Sequence, residues 1–208
     1  GLAALITVVL ALLMVYGIRL SGKKLPLLIL PLTTIGYAAP GAVLGIGILV
    51  PLAFFDNWLA DRIFDLTRYD PGLIFTGTAF AVILAYCVRF FSIAQQTVDG
   101  ALGRVSPSLP NAARSLGRNK LQVLWEIYRP LISASTATAL LLVFVDCVKE
   151  LPATMLLRPF NFETLATRVH VQASLEDLPN AAPGAILIVL IGLCAVFLLA
   201  RVTKQISN

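Results

Sequence analysis

Charge is scarce in this 208-residue sequence: Asp, Glu, Lys and Arg make up 13% of it, about half the ~25% usual in soluble globular chains. Such a chain cannot clothe a water-facing surface. With 58% hydrophobic residues and a mean hydropathy of +0.88, its medium is lipid. Cysteine is sparse too. Cys87, Cys147 and Cys194 each lie in or beside an apolar run, and none belongs to a CxxC pair. A disulfide framework or a zinc site is therefore not suggested, and the three read as small apolar fillers. With one histidine, His170, there is no Ser-His-Asp or Cys-His constellation, so the chain is not read as an enzyme and no cofactor is expected. The first apolar stretch opens at Gly1 without a charged n-region or a small-residue cleavage site, so it is not a signal peptide, and the chain reads as a fragment of a longer protein. The net charge of +5 sits between apolar runs instead of clustering on a soluble face, which points to membrane topology and away from nucleic acid.

Five uncharged windows approach or exceed the roughly 20 apolar residues of a spanning helix: Gly1 to Ile18, Leu25 to Phe55, Gly72 to Val88, Leu131 to Val145 and Leu178 to Ala200. Separate segments of this length must satisfy their backbone groups internally, so the expected fold is all-α, a polytopic membrane helix bundle of about five spans. Placing the Arg89 to Pro130 connection in the cytoplasm puts eleven of the sixteen Lys and Arg residues inside, Lys23, Lys24 and Lys204 among them. That bias predicts an outer N-terminus and a cytoplasmic C-terminus. Gly41 and Gly45 form a GxxxG pair, and Ser133 to Ala139 is a run of small residues; both allow close helix approach, and both residue types are also simply common in membrane helices. Asp56 to Leu66, with Trp58 as anchor, reads as a separate interfacial helix on the outer side.

The long connection carries two short helices joined at a glycine. Ser108 is expected to cap the first, Pro110 suits its first turn, and Gly117 can take the left-handed conformation that ends it. Asn119 caps the second with Gln122 as its capping-box partner, Leu121, Leu124, Trp125 and Tyr128 recur at the spacing of an apolar face, and Pro130 marks entry into the membrane. Such a loop is a structural connector, a docking knob or a DNA reader. A groove reader held against a membrane has poor access, and the small surface of Ala112, Ala113 and Ser115 favours docking into a cleft.

This segment resembles the EAA loop of ABC importer permeases: Glu-Ala-Ala, three residues, Gly, nine residues, Ile, one residue, Leu-Pro. The matching positions are Asn111, Ala112, Ala113, Gly117, Ile127, Arg129 and Pro130, with Asn111 in place of Glu and Arg129 in place of Leu. Lys149-Glu-Leu-Pro-Ala-Thr, Leu157-Arg-Pro-Phe and Thr164-Leu-Ala are similar to blocks of ferric iron importer permeases, so that the likeness extends over roughly Tyr86 to Arg201. The resemblance implies one permease domain over residues 1–208, the C-terminal half of a longer chain, with residues 93–130 as a cytoplasmic coupling loop seated in an ATP-binding cassette subunit. It also implies a periplasmic substrate-binding protein, a second permease half and ferric iron as cargo. Permeases for thiamine, a polyamine or a phosphonate, and a non-conducting membrane scaffold, are the rival expectations.

Leu131 to Val145 is too short to span alone, so Asp146, Lys149 and Glu150 are drawn to membrane depth or its outer edge, next to a helix break at Pro152. Their spacing puts them on one face. The set is either a gate or pathway element or a helix-end ion pair that fixes packing. His170, seven residues from Glu163 and six from Glu176, has no recognised ligand spacing and reads as a solvated or capping histidine. Gly17 to Lys24 nearly spells a phosphate-binding loop, but it ends in Lys and follows an apolar helix, so ATP hydrolysis would fall to another chain.

Overall fold

The computed structural model describes residues 1–21 and 30–207. Among these the chain is helical, without strands: α1 (Leu2–Ser21), a 3-10 turn (Leu30–Thr34), α2 (Ile35–Ala38), α3 (Gly41–Thr67), α4 (Ala79–Gly103), α5 (Ser108–Ser115), α6 (Lys120–Val123), a π-helical stretch (Leu124–Tyr128), α7 (Arg129–Lys149), α8 (Pro152–Leu157), α9 (Leu165–Ser174) and α10 (Leu178–Ser207). Five helical segments are long and apolar enough to cross a membrane: Leu2–Arg19, Gly41–Thr67, Ala79–Gly103, Lys120–Lys149 and Leu178–Arg201. The run from Gly17 is helical as far as Ser21; its continuation through Lys23 and Lys24, and the start of the second window at Leu25, lie outside the described residues.

Several span boundaries differ from the sequence expectation. The second span begins at Gly41, because Pro40 holds Ala39 extended at ψ 138 and restarts the helix. It then runs unbroken to Thr67, so Asp56 to Leu66 is the C-terminal end of the span and not a separate interfacial helix; nothing after Pro51 interrupts it until Arg68 turns left-handed at φ 58. The third span, capped by the Thr78 hydroxyl on the Phe80 amide, continues past Val88 to Gly103. Residues 93–103, at the front of the expected loop, are therefore helix, and Arg89 lies inside a span.

Helix α4 is the hub. Its buried face, including Ala81, Ala85, Phe90 and Ala94, packs against Ala4, Val8 and Ala11 of α1 and Ala139 and Val143 of α7. In lipid there is no hydrophobic drive between helices, so the alanines matter: they let backbones approach and dispersion contacts accumulate. Helices α4 and α7 run antiparallel. Arg104 Nη2 donates to Ser135 Oγ at 3.1 Å, and fifteen residues along each helix Arg89 meets Glu150 at 3.1 Å. The GxxxG pair serves close approach as expected, but its partner is the short α8. A β-carbon at Gly41 would stand 3.0 Å from both Arg89 Nη1 and Glu150 Oε1, and one at Gly45 would stand 3.0 Å from Leu156 Cδ1.

Gly41→Val is therefore expected to destabilise the bundle by about 1–3 kcal/mol through overpacking. Gly47→Val, where a β-carbon meets nothing within 4 Å, should change stability by no more than about 0.5 kcal/mol. Thermal unfolding in detergent, followed by fluorescence of Trp58 and Trp125, measures both.

Candidate functional site

The loop between α4 and α7 has the turn chemistry its residues dictate. Gly117 adopts φ +83, and the Gly117 and Arg118 amides return to the carbonyls of Arg114 and Ala113 at 2.9 and 3.0 Å, closing α5. The capping box is formed: the Gln122 amide donates to Asn119 Oδ1 at 2.8 Å, and the Asn119 amide to Gln122 Oε1 at 2.9 Å. Ser108 does not cap. Pro107 is already helical in its backbone, so Ser108 is the first helical residue and its hydroxyl pairs with that of Ser106 at 2.8 Å.

Pro130 does not interrupt the chain at the membrane. The helix passes from Lys120 to Lys149 through the π turn Leu124–Tyr128, whose wider ring accommodates the amide hydrogen that Pro130 lacks. The extra residue in that turn shifts the helical phase. Val123 is fully buried, with Leu124, Ile127 and Tyr128 half-buried beside it, while Leu121 and Trp125, expected on the inner face, are 63% and 56% exposed. The end of α1 covers this seam: Tyr16 donates its hydroxyl to the Lys120 carbonyl at 2.8 Å, and its ring meets Tyr128 edge-on at 5.6 Å.

The seven loop positions singled out in the sequence thus divide. Asn111 and Ala112 are exposed on α5, and Ala113 is buried beneath them together with Pro110. Gly117 is the bend. Ile127 is half-buried, Pro130 is exposed, and Arg129 is exposed with its guanidinium 5.0 Å from the Trp125 ring centre. The exposed surface of α5 therefore comprises Ser108, Leu109, Asn111, Ala112, Arg114 and Ser115, around the buried Pro110 and Ala113.

A second cluster gathers where α7 ends. Lys149 Nζ pairs with Asp146 Oδ1 at 2.6 Å on the open flank, as the spacing suggested. Glu150 does not share that face. Its backbone leaves the helix at ψ 120, and its buried carboxylate turns inward to Arg89 Nε at 3.1 Å and to the Ala153 amide at 2.9 Å. Arg89 Nη1 in turn donates to the Ala39 carbonyl at 3.1 Å. The Thr154 hydroxyl donates to the Glu150 carbonyl at 3.1 Å and lies 2.6 Å from the Tyr86 hydroxyl. Pro152 opens α8 beside Gly41. At 1.5 Å per residue, Arg89 stands about 15 Å from the N-terminal end of α4 and about 21 Å from the other, well inside the span.

Arg89 is the residue of this cluster that sequence reasoning missed: it was counted as the first charge of the loop, and placing it in a span lowers the count of Lys and Arg expected inside from eleven to ten. The available signal was a lone charge between two runs that together make one long helix. Asp56 was also missed. It is fully buried, and its carboxylate accepts the amides of Ile74, Phe75 and Thr76 at 2.6–3.1 Å, pinning the connection after α3. His170 stands exposed on α9. Cys87 and Cys147 are buried fillers, whereas Cys194 faces outward.

With the helix bundle, the glycine-jointed loop and the broken α7–α8 connection in view, the chain belongs to the family of binding-protein-dependent transport system inner membrane components, whose pattern matches residues 4–208. It is 30% identical over 201 residues to the Fe(3+)-transport system permease protein FbpB 2 of Haemophilus influenzae, covering 97% of this chain and 37% of that protein. Identity to the ferric transport system permease protein FbpB of Actinobacillus pleuropneumoniae is 27%, over 76% of this chain and 22% of the relative. A Salmonella typhimurium protein named for 2-aminoethylphosphonate transport is 29% identical over 82% of this chain and 58% of its own length. The chain thus spans from about a fifth to under two thirds of the length of these relatives.

Removing one partner of a buried ion pair strands the other. Arg89→Met should destabilise the bundle by about 3–5 kcal/mol, and Arg89→Met with Glu150→Gln by distinctly less, because the neutral amide still accepts from Ala153 without a stranded charge. Denaturant titration of the three proteins in detergent gives the comparison.

Proposed function

We propose that this chain is the translocating membrane subunit of an ATP-driven importer, and that the loop from Ser108 to Pro130 is cytoplasmic and docks into an ATP-binding subunit. The observation that carries the reading is the outward face of α5. It carries the small Asn111, Ala112 and Ser115, ends at the bend of Gly117, and leads into a helix that Tyr16 and the buried Val123 hold against the bundle. A knob built in this way transmits force, whereas a free connector would not. A binding protein docks on the outer side, closure of the ATP-binding subunits moves α5, and the bundle alternates its access. By reciprocity, docking outside biases nucleotide binding inside. Asp146, Lys149, Glu150 and Pro152, together with Arg89, form the element at the helix break that responds to this movement.

Ferric iron is the cargo this reading favours, supported by the names of the ferric relatives and by the Lys149 to Arg168 blocks. A phosphonate is the second reading, favoured by the similarity to the Salmonella protein. Iron ligands are not required of this chain if a separate binding protein holds the metal.

The test is Ala112→Glu in the complete transporter. Ala112 is exposed, so the change leaves the loop's own packing intact, whereas Ala113→Glu would disrupt the loop itself and decide nothing. Retention of the ATP-binding subunit on purification and ATP-dependent uptake of ferric iron should each fall about tenfold or more, the consequence of roughly 1.4 kcal/mol lost at the contact, with membrane insertion unchanged. Unchanged uptake would refute the docking role, and uptake of 2-aminoethylphosphonate but not iron would select the second cargo.

A further inference from the structure

Between α1 and α7 the bundle leaves an open groove of about 600 Å³. Val9 and Leu13 form one wall, Ala137 and Leu140 the other, and Trp125 and Arg129 stand at the end nearest the coupling loop. The geometry points to an anionic phospholipid as the occupant, with an acyl chain between the two helices and the phosphate held by Arg129.

Apart from Tyr16 and Arg129 at one end, the walls of the groove offer nothing to a polar solute. Its two hydroxyl side chains on α7 are spent on their own helix: Ser133 donates to the Pro130 carbonyl at 3.0 Å and Thr136 to the Ile132 carbonyl at 2.9 Å, so each turns its carbon atoms outward. Leu5, Val9 and Leu13 are exposed along the adjoining flank of α1, an apolar surface suited to acyl chains. The polar surface at the end of α7, Asp146 with Lys149, lies at the opposite end of that helix.

The mouth supplies the complementary charge. Arg129 is exposed and braced over Trp125, and among the described residues no carboxylate stands within ion-pair distance of it; Arg19 and Arg118 nearby are already paired with Asp99 and Glu126. A tryptophan carrying a cation at the end of a span is a membrane-interface arrangement, and basic pockets between helices on the cytoplasmic side hold anionic headgroups. The inference rests on the orientation proposed above only for the choice of leaflet. Because Arg129 continues directly into the π turn below α5, a bound lipid would set the base of the coupling loop.

The test uses the complete transporter reconstituted in equal parts of phosphatidylglycerol and phosphatidylcholine, re-purified, with retained lipids counted by native mass spectrometry. The unaltered protein should retain phosphatidylglycerol in preference. Arg129→Gln should lower that preference about fivefold, the loss of one basic contact at a membrane surface. Ala137→Phe, filling the groove, should remove the lipid altogether. Equal retention of the two lipids by the unaltered protein, or the same phosphatidylglycerol count in both variants, would overturn the site. Efficient disulfide cross-linking of Ala137→Cys to another permease segment in native membranes would overturn it as well, by showing that protein fills the groove. Loss of the lipid site with iron uptake intact would leave the transport reading standing, so the two fail separately.

Discussion

A guanidinium and a carboxylate that must neutralise one another at membrane depth determine where this chain can break its helices. Glu150 can leave α7 only because Arg89 waits on α4, and it repays the interruption by capping the start of α8 through the Ala153 amide. Arg89 also reaches the Ala39 carbonyl, one of the groups freed where Pro40 separates α2 from α3. One ion pair thus serves two interruptions of the backbone, in a medium where each unsatisfied polar group costs several kcal/mol. Gly41 follows from the same arrangement, since no side chain fits between α3 and the pair.

The loop that carries α5 and this junction are joined by one continuous element. From the Asn119 cap to Lys149 the chain is a single helical run, with the π turn as its only irregularity, about 45 Å long at 1.5 Å per residue. In the proposed importer, a movement imposed on α5 reaches Glu150 along that run, while Tyr16 carries part of it to α1. The two features that look like imperfections, a π turn and a buried charge, therefore occupy the two places where a rigid element would have to yield.

Much of this was legible in the residues. Spans α1 and α10 follow directly from uninterrupted apolar runs, and the loop's joints follow from Gly117 and from the Asn119–Gln122 pair, whose chemistry is local. What escaped depended on partners distant in sequence. Arg89 looks like the end of a hydrophobic window because hydropathy counts its charge and cannot see Glu150 neutralising it. Asp56 looks like the start of a surface helix because the amides it accepts belong to residues eighteen to twenty positions on. The apolar face of α6 was misplaced for a different reason: Leu121, Leu124, Trp125 and Tyr128 fit a 3.6-residue period, but Pro130 enforces a π turn that changes it, leaving Leu121 and Trp125 outside. The departure from the loop pattern at Arg129 makes sense once the groove beside α1 is seen.

In the proposed importer, α5 presents its Asn111–Ala112 face to the cytoplasm and to a separate motor protein. Labelling of Ala112→Cys with a membrane-impermeant thiol reagent reports that placement, Cys87 and Cys147 being buried and Cys194 lying within the long apolar α10. Labelling is expected in inside-out vesicles stripped of the ATP-binding subunit, with protection when that subunit is added back and none from outside intact cells. Labelling from outside intact cells would contradict it.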